Sequence, residues 1–541
     1  MPHHHIPVLI VGGGPVGLSA SLFLSHLGVP SLLVERHSTT SIHPRARGLN
    51  VRTMEIYREL GLEGAIRGAG AALASSRYML FVETLAGKEI RRVPDDELMP
   101  VGERLATITP CTWCQCAQDD LEPLLLNEAK KLGATIWFGS ELVSFTQDDR
   151  GVTATVVERA SGIEHSIQAD YLIAADGASS PIRSMLEMPM GGLGTLEHFV
   201  NIYFRADLRD LVRDRWFGIC FVENPDVQGL FLAVNNTDRW LFNVAYAPEE
   251  GKTAADFTTE RCIDLVRQAV GLPRLEVEVI SVLPWEATAR VVERMGVKRV
   301  FLAGDAAHLM PPAGGFGLNT GVQDVHNLAW KLAAVINGDA DAALLETYTA
   351  ERLPVALAVV EQAVRELNAP TPDTVEGAEP GGPPRGDGED ELLAQLTAVL
   401  GYRYTSSAVA DDKGSPQLEE STLAGRPGTR AAHIWLERQG ERISTIDLFG
   451  THFVLLAGED GSVWATAARE VVSRLKLPLD IYRIGKQGDV VDLEQRWSSA
   501  YGVTSQGAVL VRPDGFVAWR ANGSEEESER TLTHVLTLLL R

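Results

Sequence analysis

At 541 residues the chain is too long for one small domain, and about 150 residues per unit gives roughly three to four structural units. Apolar residues make up 45% and charged residues 22%, the balance of a globular protein with a large core, which excludes global disorder. With 49 Lys and Arg against 72 Asp and Glu, the formal charge is −23 and no basic block is present, so nucleic acid is not an expected partner.

Near its start, at 6–17, the chain reads IPVLIVGGGPVG, a short apolar run that leads into Gly12-x-Gly14-x-x-Gly17. A helical stretch over 18–27 follows and ends at Gly28, and a second apolar run over 31–34 closes on Glu35 and Arg36. This is a βαβ pattern with glycines where a strand turns into a helix, suited to a tight turn, close approach to a pyrophosphate and close helix packing. Glu35 lies 21 residues after Gly14, the offset of an acid that bonds a ribose hydroxyl, so a dinucleotide ligand is expected. The N-terminus has no basic region followed by an early cleavage site, and no window supplies the ~18 uninterrupted apolar residues of a spanning helix. We therefore expect a cytoplasmic protein without a membrane partner.

Five cysteines, Cys111, Cys114, Cys116, Cys220 and Cys262, are an odd number in a long chain, which favours a reducing compartment over a disulfide framework. Three cluster in PCTWCQCAQ, but no second Cys or Cys/His pair at ligand spacing follows, so buried thiols are expected and no metal. Apolar runs at 171–175, before Asp176, and at 300–303, before Gly304-Asp305, resemble the first strand, which makes the dinucleotide domain discontinuous. Between them, residues 190–290 alternate apolar and polar in short, aromatic-rich runs, predicting a mainly antiparallel sheet. Alternation lets half of its aromatics face a cavity; Tyr203, Trp216, Phe231 and Trp285 are the candidates for substrate contact.

Helical patterning over 328–367 gives way to a Pro-, Gly- and acid-rich linker at 369–390. From 391 onward a smaller α/β unit is predicted, with a hairpin turn at Pro513, Asp514 and Gly515 and a terminal helix carrying Leu532, Val535, Leu536 and Leu539 behind a capping box of Ser524 and Glu527.

Two constellations identify the dinucleotide. Asp176-Gly177 with Ser180 and Arg183 follows one strand, and Gly304-Asp305-Ala-Ala-His308 with Pro311-Pro312, Gly314-Gly315, Gly317-Leu318-Asn319 follows another. Together with PRARGLNVRTMEIYRELGL at 44–62 and QDDLEPLL at 118–125, they resemble the FAD-dependent aromatic hydroxylases, the group A flavoprotein monooxygenases, over residues 6 to about 365. The resemblance implies that Asp305 bonds the ribitol chain of FAD, that Arg45 and Gln118 meet its ribityl-pyrophosphate region, and that Leu318 and Asn319 offer backbone donors to the pyrimidine end of the flavin. It also places Pro312 against the isoalloxazine and the Arg45 loop beside it, making these two the candidate catalytic residues. Asp176 belongs to a motif that serves FAD and NAD(P)H in this family, and an Asp176–Arg183 structural pair would give the same sequence. A helix beginning after Gly317 would present its positive end to reduced flavin. No second GxGxxG in a strand-turn-helix context follows, consistent with NADPH or NADH docking only transiently as reductant.

The C-terminal runs PGTRAAHIWL, STIDLFGTHFVLLAG and GAVLVRPDGFVAWR are similar to the longer members of the family, which act on polycyclic aromatic polyketides and end in a thioredoxin-like domain. No cysteine follows Cys262, so that domain would lack a CxxC and would be structural. The expected fold is thus α/β, with a discontinuous Rossmann-like FAD-binding domain (1–75 with 105–185 and 295–368), an inserted antiparallel-sheet substrate domain (76–104 with 186–294), the linker, and a thioredoxin-like domain (391–541). The expected activity uses O2 and a C4a-hydroperoxyflavin to oxygenate a polycyclic aromatic small molecule, in a monomer or homodimer. Baeyer–Villiger oxygenation of a related ketone, or a non-catalytic flavin-binding stabiliser or regulatory protein, are the alternatives.

Overall fold

The run VLIV at 8–11 has no polar face, the pattern of a strand covered on both sides. It lies in strand His4–Val11 with all four side chains buried. The computed structural model describes residues 4–94, 103–368, 396–410 and 425–540. Five parallel strands from distant parts of the chain lie in the order Thr135–Phe138, Ser31–Glu35, His4–Val11, Glu164–Ala174, Val300–Leu302. Val11 pairs with Val34 and Ala174, and Ala174 with Leu302, so Gly12, Glu35, Asp176 and Asp305 all emerge at one carboxyl edge. Ligands of open α/β sheets bind at that edge.

Helix Pro15–His26 follows the glycine loop and packs against helix Phe316–Ile336. The predicted helical run over 328–367 is two helices, Phe316–Ile336 and Glu346–Leu367. The break falls at Gly338, whose φ of +79° no helix interior adopts, and Asp341 then caps a short turn by accepting from the Ala343 N–H.

A second sheet of eight strands runs in the order His308–Leu309, Glu278–Val292, Met190–Arg205, Arg239–Tyr246, Gln228–Ala233, Phe217–Glu223, Tyr78–Val82, Glu89–Pro94. All neighbours are antiparallel except Phe217–Glu223 with Tyr78–Val82. Its back face, including Val200, Ile202, Phe204, Cys220, Phe231 and Phe242, is buried against helix Thr259–Val270. The front face looks toward the loops at the carboxyl edge of the first sheet.

The C-terminal unit has a four-stranded mixed sheet, Leu479–Arg483, Phe453–Ala457, Ala508–Val511, Val517–Ala521, with helices Ser462–Leu475 and Ser528–Leu539 packed on one face. Pro513-Asp514-Gly515 makes the predicted turn, with Gly515 at φ +77°. The expected capping box does not form: the terminal helix starts at Ser528, and the Ser524 hydroxyl donates to Gln506 Oε1. The linker expected at 369–390 lies outside the described residues.

Trp330, on the helix Phe316–Ile336, packs edge-on against Phe453 at 5.7 Å between ring centroids, inside the C-terminal core. Beneath it lies a buried ion cluster. Glu351 accepts from Arg512 at 2.6 and 2.9 Å, from Lys331 at 2.7 Å and from Asn327 at 2.7 Å, while Arg512 also reaches Asp514. The cations hold the Glu351 carboxyl far below its ordinary range despite burial. Removing one partner of such a cluster strands the others without water, so Glu351→Ala is expected to cost about 3–5 kcal/mol. A thermal unfolding midpoint lowered by several degrees checks this.

Candidate active site

The glycine loop has three different reasons for its glycines. Gly12 has φ +108°, and an added Cβ there would lie 2.2 Å from the Ala175 carbonyl oxygen. A Cβ on Gly17 would lie 1.9 Å from the Gly12 carbonyl, so that position holds helix and loop together. Above Gly14 there is open space at the N-terminus of helix Pro15–His26, where unpaired N–H groups favour an anion. Glu35 stands over the loop: one carboxylate oxygen accepts from Gly13 N at 2.5 Å and the other from His37 N at 2.8 Å. Arg36 beside it is exposed.

Asp305 lies at the start of the turn after Val300–Leu302 and caps nothing: the turn Gly304–Ala306 has Ala303 at its N-cap and no side-chain cap. Its carboxylate is accessible, yet the surrounding protein raises its pKa by desolvation, against the pull of His308 and Arg45. An acid at a strand's carboxyl end with no hydrogen-bond partner among the described residues fits a ligand hydroxyl. Asp176, by contrast, is used locally, accepting from Ser180 Oγ at 2.6 Å and Ile182 N at 3.1 Å, and burial raises its pKa. Arg183 donates to the Ala306 and Ala178 carbonyls, so it joins the two loops through their backbones rather than by a hydrogen bond to Asp176.

The loop carrying Arg45 is held from below. Gln118 Nε2 donates to Glu122 at 2.6 Å, Glu122 accepts from Ser41 N at 2.6 Å, and the Gln118 N–H donates to the Ala46 carbonyl at 2.8 Å. Arg45 itself is exposed, near enough to His43, Glu122 and Asp305 to act on their ionisation. Asn319 is buried and spends its side chain on the scaffold, accepting from Asn50 N and donating to the Gly48 and Gly315 carbonyls. Its neighbours Gly317 and Leu318 are half-buried in the first turn of helix Phe316–Ile336, whose N–H groups have no partner within the helix. Pro312 is exposed, and its carbonyl accepts from Gly315 N at 3.1 Å.

The second sheet turns Tyr203 and Trp285 to its front face. Tyr203 is registered with Leu241 and Ser281; Trp285 stacks on Phe199 at 4.6 Å. Phe231 does not join them. It lies on the back face, fully buried between Phe204 and Phe242, and Trp216 packs against the same back-face core. Half-exposed Ile219, Leu230, Leu232 and Leu283 share the front with Asn201 and Asn243. Two residues without a sequence-assigned role bind this face to the Arg45 loop. His43 Nδ1 meets Ser281 Oγ at 2.7 Å with its ring edge-on to Tyr203, and Arg47 donates to the Gly218 and Ala233 carbonyls at 3.1 and 2.5 Å. Their only sequence signal was position, on either side of Pro44-Arg45-Ala46.

A family pattern described as FAD binding domain matches residues 5–363, and one described as Aromatic-ring hydroxylase, C-terminal, matches residues 424–540. The chain belongs to the FAD-dependent aromatic-ring hydroxylases. It is a flavoprotein monooxygenase. Similar proteins include tetracenomycin A2 monooxygenase-dioxygenase of Streptomyces glaucescens, 41% identical over 100% of this chain and 98% of its own. Aklavinone 12-hydroxylase of Streptomyces purpurascens is 39% identical over 100% of both chains. Among solved structures, an aklavinone-11 hydroxylase in ternary complex with FAD and aklavinone aligns at TM-score 0.86 with 38% identity, covering 100% of both chains.

In this hydroxylase the Asp305 carboxylate is exposed, although the protein around it partly desolvates it. Asp305→Asn is expected to weaken FAD by about 1.5–3 kcal/mol in a binding titration. Unchanged FAD affinity would contradict the assignment. His43 is held neutral, its pKa lowered to about 4 by burial and then by Arg45. Folding therefore gains stability from it above its ordinary value of 6.5, and loses that gain as pH falls from 6.5 toward 4. His43→Gln is expected to reduce the drop in melting temperature between pH 6.5 and pH 5, the histidine's share being up to about 1.4 kcal/mol per pH unit. His26 and His433, lowered by burial in the same direction, leave part of the drop in place.

Proposed function

We propose that the hydroxylase oxygenates a polycyclic aromatic substrate of polyketide type, with NADPH or NADH as a transient reductant. The observation that carries this is the front face of the eight-stranded sheet, broad and apolar with a few polar groups, set against the loop that bears Arg45. A planar multi-ring molecule matches such a face, and the similar tetracenomycin and aklavinone enzymes are named for polycyclic substrates.

FAD would be held by the glycine loop, Glu35, Arg36, Gln118, Asp176, Asp305 and the first turn after Gly317. The chemistry FAD supplies when bound is activation of O2 and delivery of one oxygen atom to an electron-rich ring carbon. Overall, substrate, O2, NAD(P)H and a proton give oxygenated product, NAD(P)+ and water. The protein's own part is placement and exclusion of water. Helix Phe316–Ile336 presents its positive end and Arg45 a cation, both suited to charge that develops at the flavin. Pro312, exposed ahead of Gly314-Gly315, would close the opposite side of the reacting centre. Tyr203 and Trp285 would contact the substrate rings; Phe231 and Trp216 support the sheet from behind. The C-terminal unit is read as thioredoxin-like and structural, since it contains no cysteine.

Purified protein is expected to carry FAD and to oxidise NAD(P)H faster when polycyclic phenols or quinones are added; both hydroxylation and ring expansion add one oxygen atom, and the product's carbon NMR spectrum distinguishes them. Arg45→Lys keeps the charge and loses the planar fork. FAD occupancy is expected to survive, while the ratio of oxygenated product to NAD(P)H consumed falls and peroxide rises. Wild-type coupling in that variant, at saturating FAD, would remove Arg45 from the catalytic assignment.

A further inference from the structure

Arg47 is a guanidinium without a counter-ion. Among the described residues it forms no ion pair, and its hydrogen bonds are the two from one terminal nitrogen to the Gly218 and Ala233 carbonyls. Nε and the second terminal nitrogen have no hydrogen-bond partner among those residues, and the side chain is only half-buried. Burial alone lowers its pKa to about 10, so it is still charged at neutral pH. A cation drawn even partly from water normally has a carboxylate beside it, because its desolvation is otherwise uncompensated.

Its location gives that missing charge an address. The next residue, Gly48, is tied through its carbonyl to Asn319, beside the proposed flavin end of helix Phe316–Ile336. The side chain itself reaches away from that helix to strands Phe217–Glu223 and Gln228–Ala233. Gln115 faces Gly48 across a two-residue strand pair, and its carboxamide stands over Gly218, where an added Cβ would come within 3.4 Å of it. Gln115 is half-exposed, with no side-chain hydrogen bond among the described residues. Arg47 thus reaches the Gly218 carbonyl and Gln115 the space above the Gly218 Cα, each with donors unspent. His43 and Arg45 share Arg47's loop, and on the sheet side Arg239 is already paired to Asp119 at 2.7 Å.

We propose that Arg47, with Gln115 beside it, is an oxyanion-recognising pair in the substrate site and selects polycyclic substrates that carry an ionised phenol or enol. The phenolic proton is released to solvent, and the guanidinium fork holds the resulting oxygen anion. Ionisation enriches the ring in electrons, which suits the oxygen transfer proposed above; the inference rests on that reading of the substrate.

The probe is alizarin, a dihydroxyanthraquinone whose colour reports its ionisation, with plain anthraquinone as the partner that cannot ionise. FAD-loaded enzyme is expected to bind alizarin as the phenolate, lowering the pH of its colour change by one unit or more. In Arg47→Gln the shift should vanish and alizarin affinity fall tenfold or more, with anthraquinone and FAD affinities unchanged. Arg47→Lys, which keeps the charge, should retain part of the shift and guards against a Gln variant that folds poorly. Equal loss of both dyes, or weakened FAD binding with the shift intact, would make Arg47 a strut or a flavin contact and overturn the proposal. Anthraquinone binding without preference for the phenolate would overturn it while leaving the proposed function standing; no binding of either dye to the wild-type enzyme would overturn both.

Discussion

The carboxylate of Asp324 is the point from which the flavin side of the molecule is held. It is fully buried on helix Phe316–Ile336, where it accepts from Gly304 N at 3.1 Å, meets His308 Nε2 at 2.6 Å and receives Arg352 Nε at 2.8 Å. Gly304 and His308 bracket Asp305, so this acid, with no hydrogen-bond partner among the described residues, sits on a loop whose two ends are pinned to one buried anion. Glu351, the residue before Arg352, joins Lys331 and Arg512, and through Arg512 it reaches Asp514. Across this chain three carboxylates, Asp324, Glu351 and Asp514, face three cations, Arg352, Lys331 and Arg512. Burial of so many charges is tolerable because each is matched and hydrogen-bonded, and what it secures is position more than stability.

That cluster explains why a C-terminal unit without redox residues belongs to an oxygenase. Arg512 and Asp514 belong to its hairpin, and Arg52 donates to the Asp514 carbonyl, while Arg430 pairs with Glu55 on helix Val51–Glu59. The unit thus braces, from outside, the two helices that follow the Arg45 loop and the flavin loop. A water-excluding reaction needs walls that keep their place, and these contacts supply one.

Local chemistry made much of this legible in the sequence. Gly17 is required by the carbonyl of Gly12 and Gly12 by its own φ of +108°, and Asp305 stands out because an acid follows an apolar strand ahead of a glycine-rich turn. What stayed hidden depends on partners far away in the chain. Arg47 looks like any other arginine until the Ala233 carbonyl arrives from another sheet, and Glu122 is an ordinary helix residue until Ser41 N meets it. The front and back of the eight-stranded sheet were also ambiguous, because Tyr203 and Phe204 are adjacent aromatics and alternation alone cannot say which looks inward. Register decides it: Phe231 shares a face with Phe204 and Phe242, and Tyr203 with Ser281.

The central claim is that this scaffold places a polycyclic ring where one oxygen atom from O2 can reach it. Turnover of a stimulating polycyclic phenol under isotopically labelled O2, with mass analysis of the product, tests that directly. The expected product carries one labelled oxygen atom and forms in step with NAD(P)H consumption. A product whose added oxygen comes from water, or NAD(P)H oxidation that yields only peroxide with every polycyclic phenol tried, would contradict it.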